Sequence, residues 1–213
     1  MGAWLLPSLD DPVNAQRVRR VLLTVAEQLD DEFVVWIQGM LADDRVLEAA
    51  FELFLAGADG TLSLQAGEIA LLAPMMTGSN TGRALLKVIP IAISRPEPLH
   101  FVIPAAESLC TISDSLMDSA ALVVVANVSG ALSLRVGCRL AAREDLPQAW
   151  HYLTEFSPKS PTRSLMRVCE EVRLAVEAVP HRMFVVDAYV SDDELPPYFS
   201  DLVRMGRVVW SRY

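Results

Sequence analysis

Two closely spaced prolines, in Ser94-Arg95-Pro96-Glu97-Pro98, divide this chain. Proline lacks the amide donor a helix needs and pushes the residue before it toward extended backbone, so the segment stops a helix and favours an extended connection. Apolar residues recur at helical spacing before it, whereas helical and strand patterns alternate after it. The sequence therefore predicts a single domain over 1–213, with a finer division into a mainly helical sub-domain, 1–94, and a mixed α+β sub-domain, 99–213.

In the helical half, Pro12 after Asp10-Asp11 suits a helix start, and Val18, Val21, Leu22, Val25 and Leu29 form one face of a helix reaching Leu29. The pattern from Asp30 to Ala56 is again helical, with a break at Gly39 or Asp43-Asp44 and a stripe of Leu47, Ala50, Phe51, Phe54 and Leu55. A turn at Ala58-Asp59-Gly60-Thr61-Leu62-Ser63 follows, with Ser63 predicted to cap the next helix toward Glu68. This turn has the glycine and hydrophobic centre of a calcium loop. Placing Gly60 sixth, however, leaves Asp59 as the sole carboxylate in a ligand position, which excludes that chemistry. Thr77-Gly78-Ser79-Asn80-Thr81-Gly82-Arg83 is a polar loop whose glycines are too close for a P-loop, with Arg83 in place of the lysine and Ala84 in place of the magnesium-binding hydroxyl. It reads as a connector.

In the mixed half, His100 to Ile103 reads as a strand and Pro104 opens a helix toward Met117. The β-branched run ending at Val128, Ser129-Gly130, and the alternating Ala131 to Cys138 together predict a hairpin over 122–138. Ser160-Pro161 opens a helix striped by Leu165, Cys169, Val172, Val176 and Val179. Strands near 183–190 and 207–213 flank a short helix, Pro197 to Met205, stopped at Gly206. The fold class expected is α+β: a helical N-terminal half, then a small antiparallel or mixed sheet with helices packed on one face.

Charge and composition exclude several function classes. The formal net charge of -9 opposes a nucleic-acid partner, because such affinity comes largely from Lys and Arg displacing counterions. The longest apolar stretches, such as Ala84 to Ile93, are interrupted by Lys87 and Pro90 and fall short of the ~20 residues of a membrane span. Met1-Gly2-Ala3-Trp4-Leu5-Leu6-Pro7 lacks the basic start of a signal peptide, and Leu6 stands where a myristoylation motif wants Ser or Thr. Cys110, Cys138 and Cys169 are odd in number and widely spaced, which suits a reducing, cytoplasmic compartment rather than a disulfide framework or a zinc site.

The search for chemistry yields no catalytic, cofactor-binding or metal-binding set. His100, His151 and His181 lack metal-ligand spacing, and Cys138 and Cys169 stand at positions suited to apolar side chains. Asp187, inside the apolar strand Phe184 to Val190, needs a partner or an exposed edge, and an arginine partner or edge exposure is expected. The closing helix, turn and strand have the order of a winged-helix element, but Arg204, Arg207 and Arg212 make a thin basic patch beside four acidic residues.

Apolar residues make up 52% of the chain against 21% charged, and the mean hydropathy is +0.31. Such a surplus is buried in a core or against a partner. The reading is thus a non-enzymatic protein-protein interaction or assembly component, soluble and acidic, which binds a protein or its own copy without inserting into a membrane and carries no cofactor. Its expected interface anchors are Trp4, Leu5, Leu6, Tyr198, Phe199, Trp210 and Tyr213. The alternative is a small intracellular hydrolase or transferase built from Asp187, His151 or His181 and one cysteine.

Overall fold

The computed structural model describes residues 12–94, 100–103, 112–141, 149–179 and 183–212. The chain divides into two compact units, Met1–Glu97 and Pro98–Tyr213.

Among the described residues, five α-helices build the first unit: α1 (Pro12–Val25), α2 (Asp31–Ala42), α3 (Val46–Asp59), α4 (Ala66–Met76) and α5 (Asn80–Val88). Pro12 opens α1, since its fixed φ suits the first helical position; Asp10-Asp11 lie outside the described residues. Val18, Val21, Leu22 and Val25 are buried at the predicted spacing, but α1 gives way to a 3-10 turn over Ala26–Gln28 before Leu29. Asp30 caps α2, its carboxylate accepting the Phe33 amide at 2.7 Å. The helix then runs unbroken through Gly39 and stops at Asp43-Asp44. The Arg45 amide reaches back to the Met40 carbonyl at 2.8 Å, a Schellman closure that holds Asp44 at φ +60°, where glycine is the usual occupant.

The buried stripe of α3 is rotated from the predicted one. Val46, Ala49, Ala50, Leu53 and Phe54 face inward, whereas Leu55 is exposed and Phe51 half-buried. Gly60 ends α3 at φ +87°, and the Asp59 carboxylate accepts the Thr61 amide at 2.9 Å. Gln65 rather than Ser63 caps α4: the Glu68 side chain folds back onto the Gln65 amide, while the Ser63 amide donates to Gln28 at 3.1 Å.

The second unit is α+β. Its elements are β1 (His100–Ile103), α6 (Ile112–Ala126), β2 (Ala131–Ala141), β3 (Ala149–Phe156), α7 (Thr162–Glu177), β4 (Phe184–Val190), α8 (Pro197–Met205) and β5 (Arg207–Ser211). Among the described residues, five strands form one mixed sheet in the order β1-β2-β3-β4, and β5 also pairs with β2. All pairs are antiparallel except β3 with β4, which are parallel and joined through α7. β2 is the spine. On one edge it carries β3; on the other it carries β1 against 138–141 and β5 against 133–136.

The hairpin predicted over 122–138 is corrected by this topology. Its second arm is β2, but its first arm is the end of α6, and Ser129-Gly130 joins a helix to a strand. Met117, Ala121 and Val125, each four residues apart, are fully buried, and that helical burial outweighs the strand preference of Val123, Val124 and Val125. Gly130, at φ +90°, meets the turn after β3 so closely that a Cβ would lie 2.7 Å from the Ser160 hydroxyl.

Strand alternation and side-chain contacts place helices on both faces of the sheet, not on one. Tyr152 projects to the face of α6, where its hydroxyl donates to Asp118 at 2.9 Å, and α7 packs on α6 and β4 there. His151 projects to the opposite face and meets Tyr198 and Phe199 of α8. Arg207, at the start of β5, adds a 2.5 Å ion pair to Asp118, so one α6 carboxylate ties down two strands. No helix among the described residues is long and apolar enough to cross a membrane.

Candidate functional site

The α8 face of the sheet holds a cluster of polar side chains. In register, β2 presents Arg139, Arg135 and Ser133, β3 presents His151 and Glu155, and β4 presents Asp187 and Tyr189 to this face. Gly137 stands opposite His151, so the neighbouring strand contributes no side chain where the imidazole rises.

At the centre, Asp187, His151 and Tyr198 are in line. The His151 Nε2 lies 2.8 Å from the Asp187 Oδ2, a close polar contact rather than a well-directed hydrogen bond. The other ring nitrogen, Nδ1, is 2.6 Å from the Tyr198 hydroxyl. In the neutral tautomer that carries its proton on Nε2, Nδ1 accepts the Tyr198 proton, which is the order of groups in a carboxylate-imidazole-hydroxyl relay. Phe199 stands edge-on to both the imidazole and the Tyr198 ring, with centroids 5.7 and 5.1 Å apart. His151 and Asp187 are only 1% and 3% exposed, and Tyr198 is also buried. As built, the three groups fasten α8 to β3 and β4.

Next to the relay, the Glu155 carboxylate accepts the Ser133 hydroxyl at 2.8 Å and bonds the Tyr189 side chain. Burial, with the Glu155 carboxylate beside it, pushes the Tyr189 hydroxyl up to about 12, and Arg135 opposes this. Tyr189 therefore remains a neutral donor across the physiological range.

The sequence singled out Asp187, and the structure buries it, with the His151 imidazole against its carboxylate. The enzyme alternative paired these residues with a cysteine. Cys138, opposite Trp150 in β2, faces α6 and α7, and Cys169 belongs to α7, so both thiols lie across the sheet from His151. Cys110, His181 and the side chain of His100 lie outside the described residues. Tyr198, in the relay, was missed as a partner because the proximity arises only when α8 folds back over β3.

Of the expected interface residues, Tyr198 and Phe199 are buried within the second unit and Trp210 is half-buried in β5 with the Arg212 guanidinium 5.7 Å above its ring. Trp4, Leu5, Leu6 and Tyr213 lie outside the described residues. The polar loop at Thr77 to Arg83 turns on itself: Ser79 accepts the Gly82 amide at 2.9 Å to cap α5, and Arg83 donates to the Thr77 carbonyl and the Asn80 side chain at 2.7 and 2.6 Å. Among the described residues, no group of three His, Cys, Asp or Glu could hold a metal ion.

Exposed apolar side chains lie elsewhere. At the end of the first unit, Val88, Ile91 and Ile93 are exposed, the last at 101%, and Trp36 on α2 is 46% exposed. In the second unit Leu116 and Val123, seven residues apart on α6, and Val208 on β5 also face outward. No protein-family model, curated protein or solved structure matches this chain.

Proposed function

We propose that the chain is a non-enzymatic protein-protein interaction or assembly component that buries apolar surface against a partner or its own copy. The observation that carries this reading is the run Val88 to Ile93, where three large aliphatic side chains stand exposed within six residues. Contiguous exposed apolar surface of more than a few hundred Å² is uncommon on a chain that works alone, and it marks contact sites. The polar cluster around His151 supports the same reading from the other side, because α8 closes over it and leaves its imidazole and carboxylate away from solvent. Cys138 and Cys169 are buried thiols outside any disulfide, which supports a reducing, cytoplasmic setting.

Light scattering on the purified chain across a dilution series, alone and with any co-purifying protein, tests the proposal. A persistent oligomer or a stoichiometric complex is expected. A monomer at every concentration that also purifies without a partner would overturn it. The second reading, an enzyme, is favoured by one observation, the Asp187-His151-Tyr198 alignment. It requires α8 to lift so that the Tyr198 hydroxyl reaches a substrate, and it predicts faster hydrogen exchange of the α8 amides than of the β3 amides.

A further inference from the structure

The outer face of α2 departs from what helix stability favours in three ways, none of which the rest of the first unit explains. Glu32, Trp36, Gly39 and Asp43 recur at helical intervals of four, three and four residues, so they share one face. Trp36 is 46% exposed there, with Phe33 packed edge-on against it at 5.6 Å. Gly39 sits in the helix interior, yet a Cβ at this position would meet nothing within 4 Å. Glycine costs a helix about 1 kcal/mol relative to alanine, so no internal contact accounts for its presence. Asp43 lies at the C-terminal end of the helix, where the macrodipole disfavours a negative charge, and the last turn contains no basic residue.

The segment itself is acidic. Between 26 and 44 there are six acidic residues and no basic one, and Arg45, next in the chain, is held in a two-pronged pair by Glu48 at 3.1 and 2.5 Å while also lying in the field of Asp43. An exposed tryptophan beside a side-chain-free notch, framed by carboxylates, has the composition of an anchor site for a cationic partner. The indole face attracts a guanidinium or ammonium group, and the notch admits close approach of a second backbone.

We propose that this face of α2 docks a basic amphipathic segment of a partner protein, whose apolar side seats on Trp36 and Phe33 across Gly39 and whose cations meet Glu32 and Asp43. The proposal rests on the interaction reading above and names its surface and the chemistry of its partner. Charge complementarity selects this occupant over a second copy, since two α2 faces would bring like charges together.

The test uses the full chain and two fluorescent synthetic amphipathic helical peptides with the same leucine face, one with an arginine and lysine polar face and one with a glutamate polar face. Saturable binding of the basic peptide is expected. Trp36→Ala, Gly39→Leu and the double variant Glu32→Lys/Asp43→Lys should each weaken it by roughly tenfold or more, as for central residues of an interface. The double variant should in turn bind the acidic peptide. Gly39→Leu adds a strong helix former in open space, so its thermal stability should be at least that of the unmodified chain, which separates lost docking from lost folding. Equal binding of the basic peptide by all variants would overturn the proposal while leaving the interaction reading intact. Oligomers dispersed by Trp36→Ala, without basic-peptide binding, would replace the cationic partner with a second copy. Absence of both peptide binding and assembly would sink both readings.

Discussion

The same substitution, glycine to alanine, should change stability in opposite directions at two helical positions of the first unit. At Gly39 the added methyl meets nothing within 4 Å, so the gain is the intrinsic helix preference of alanine, about 1 kcal/mol. For a unit of this size, that raises the midpoint of thermal unfolding by roughly 4–8 °C. At Gly82, in the first turn of α5, a Cβ would lie 2.2 Å from the Met76 carbonyl oxygen and 2.9 Å from two further Met76 backbone atoms. Backbone cannot swing aside as a side-chain tip can. The first turn of α5 must shift, which weakens the bond from the Gly82 amide to the Ser79 hydroxyl. Overpacking of this kind costs about 1–3 kcal/mol, enough to exceed the helix-preference gain. Urea unfolding of both variants, followed by far-ultraviolet circular dichroism, measures the two free energies. Gly82→Ala equal to or more stable than the unmodified chain, or Gly39→Ala less stable, would refute the reasoning.

Three further outcomes are expected in the second unit. Thr154 is fully buried in β3, and no described residue supplies its Oγ1 with a hydrogen-bond partner, so Thr154→Val should stabilise by about 1 kcal/mol in urea unfolding. A loss of that size would show that the hydroxyl is bonded. The ordinary tyrosine value of about 10 applies to the unfolded chain, whereas the fold holds Tyr189 near 12. The folded state then retains a proton that the unfolded state releases, so the contribution is complete below pH ~10 and falls as pH rises toward ~12. Tyr189→Phe should remove that part of the alkaline loss in a series of melting points, and an unchanged pH profile would contradict the assignment. His151→Leu takes the imidazole away from the buried Asp187 carboxylate and should cost about 3 kcal/mol, and a double-mutant cycle with Asp187→Leu should show that the two losses are coupled. Additive losses would mean that the two side chains do not interact.

The elements legible in the sequence are those whose environment is one-sided. α7 shows Leu165, Cys169, Val172 and Val176 at helical spacing because it lies on a surface with one face inward. Where an element is enclosed, the pattern disappears. In β3, Ala149 to Thr154 are buried on both faces, so the alternation that marks a half-buried strand is missing, and His151, Thr154 and Glu155 make the run look like a polar connector. α6 misleads for the opposite reason, since three successive valines carry a local strand preference that long-range packing overrides. The candidate site was half visible. A carboxylate inside an apolar strand had to have a partner, and Asp187 does. That His151, 36 positions earlier, lies against it follows from the parallel register of β3 and β4, which no spacing rule encodes.

β1 and β5 lie along one edge of β2 and run in the same direction, β1 from opposite Ala141 to opposite Cys138 and β5 from opposite Val136 to opposite Ser133. They are two halves of an interrupted strand, with the break at Gly137. Tension applied through residues 100 and 211 would pull these halves outward along their own axes, loading their ladders against β2 in shear, with all hydrogen bonds of each half sharing the force. A hairpin pulled from its open end unzips bond by bond. This sheet would instead hold until a whole half-strand slides, and β2, gripped on its other edge by β3, would bear the load.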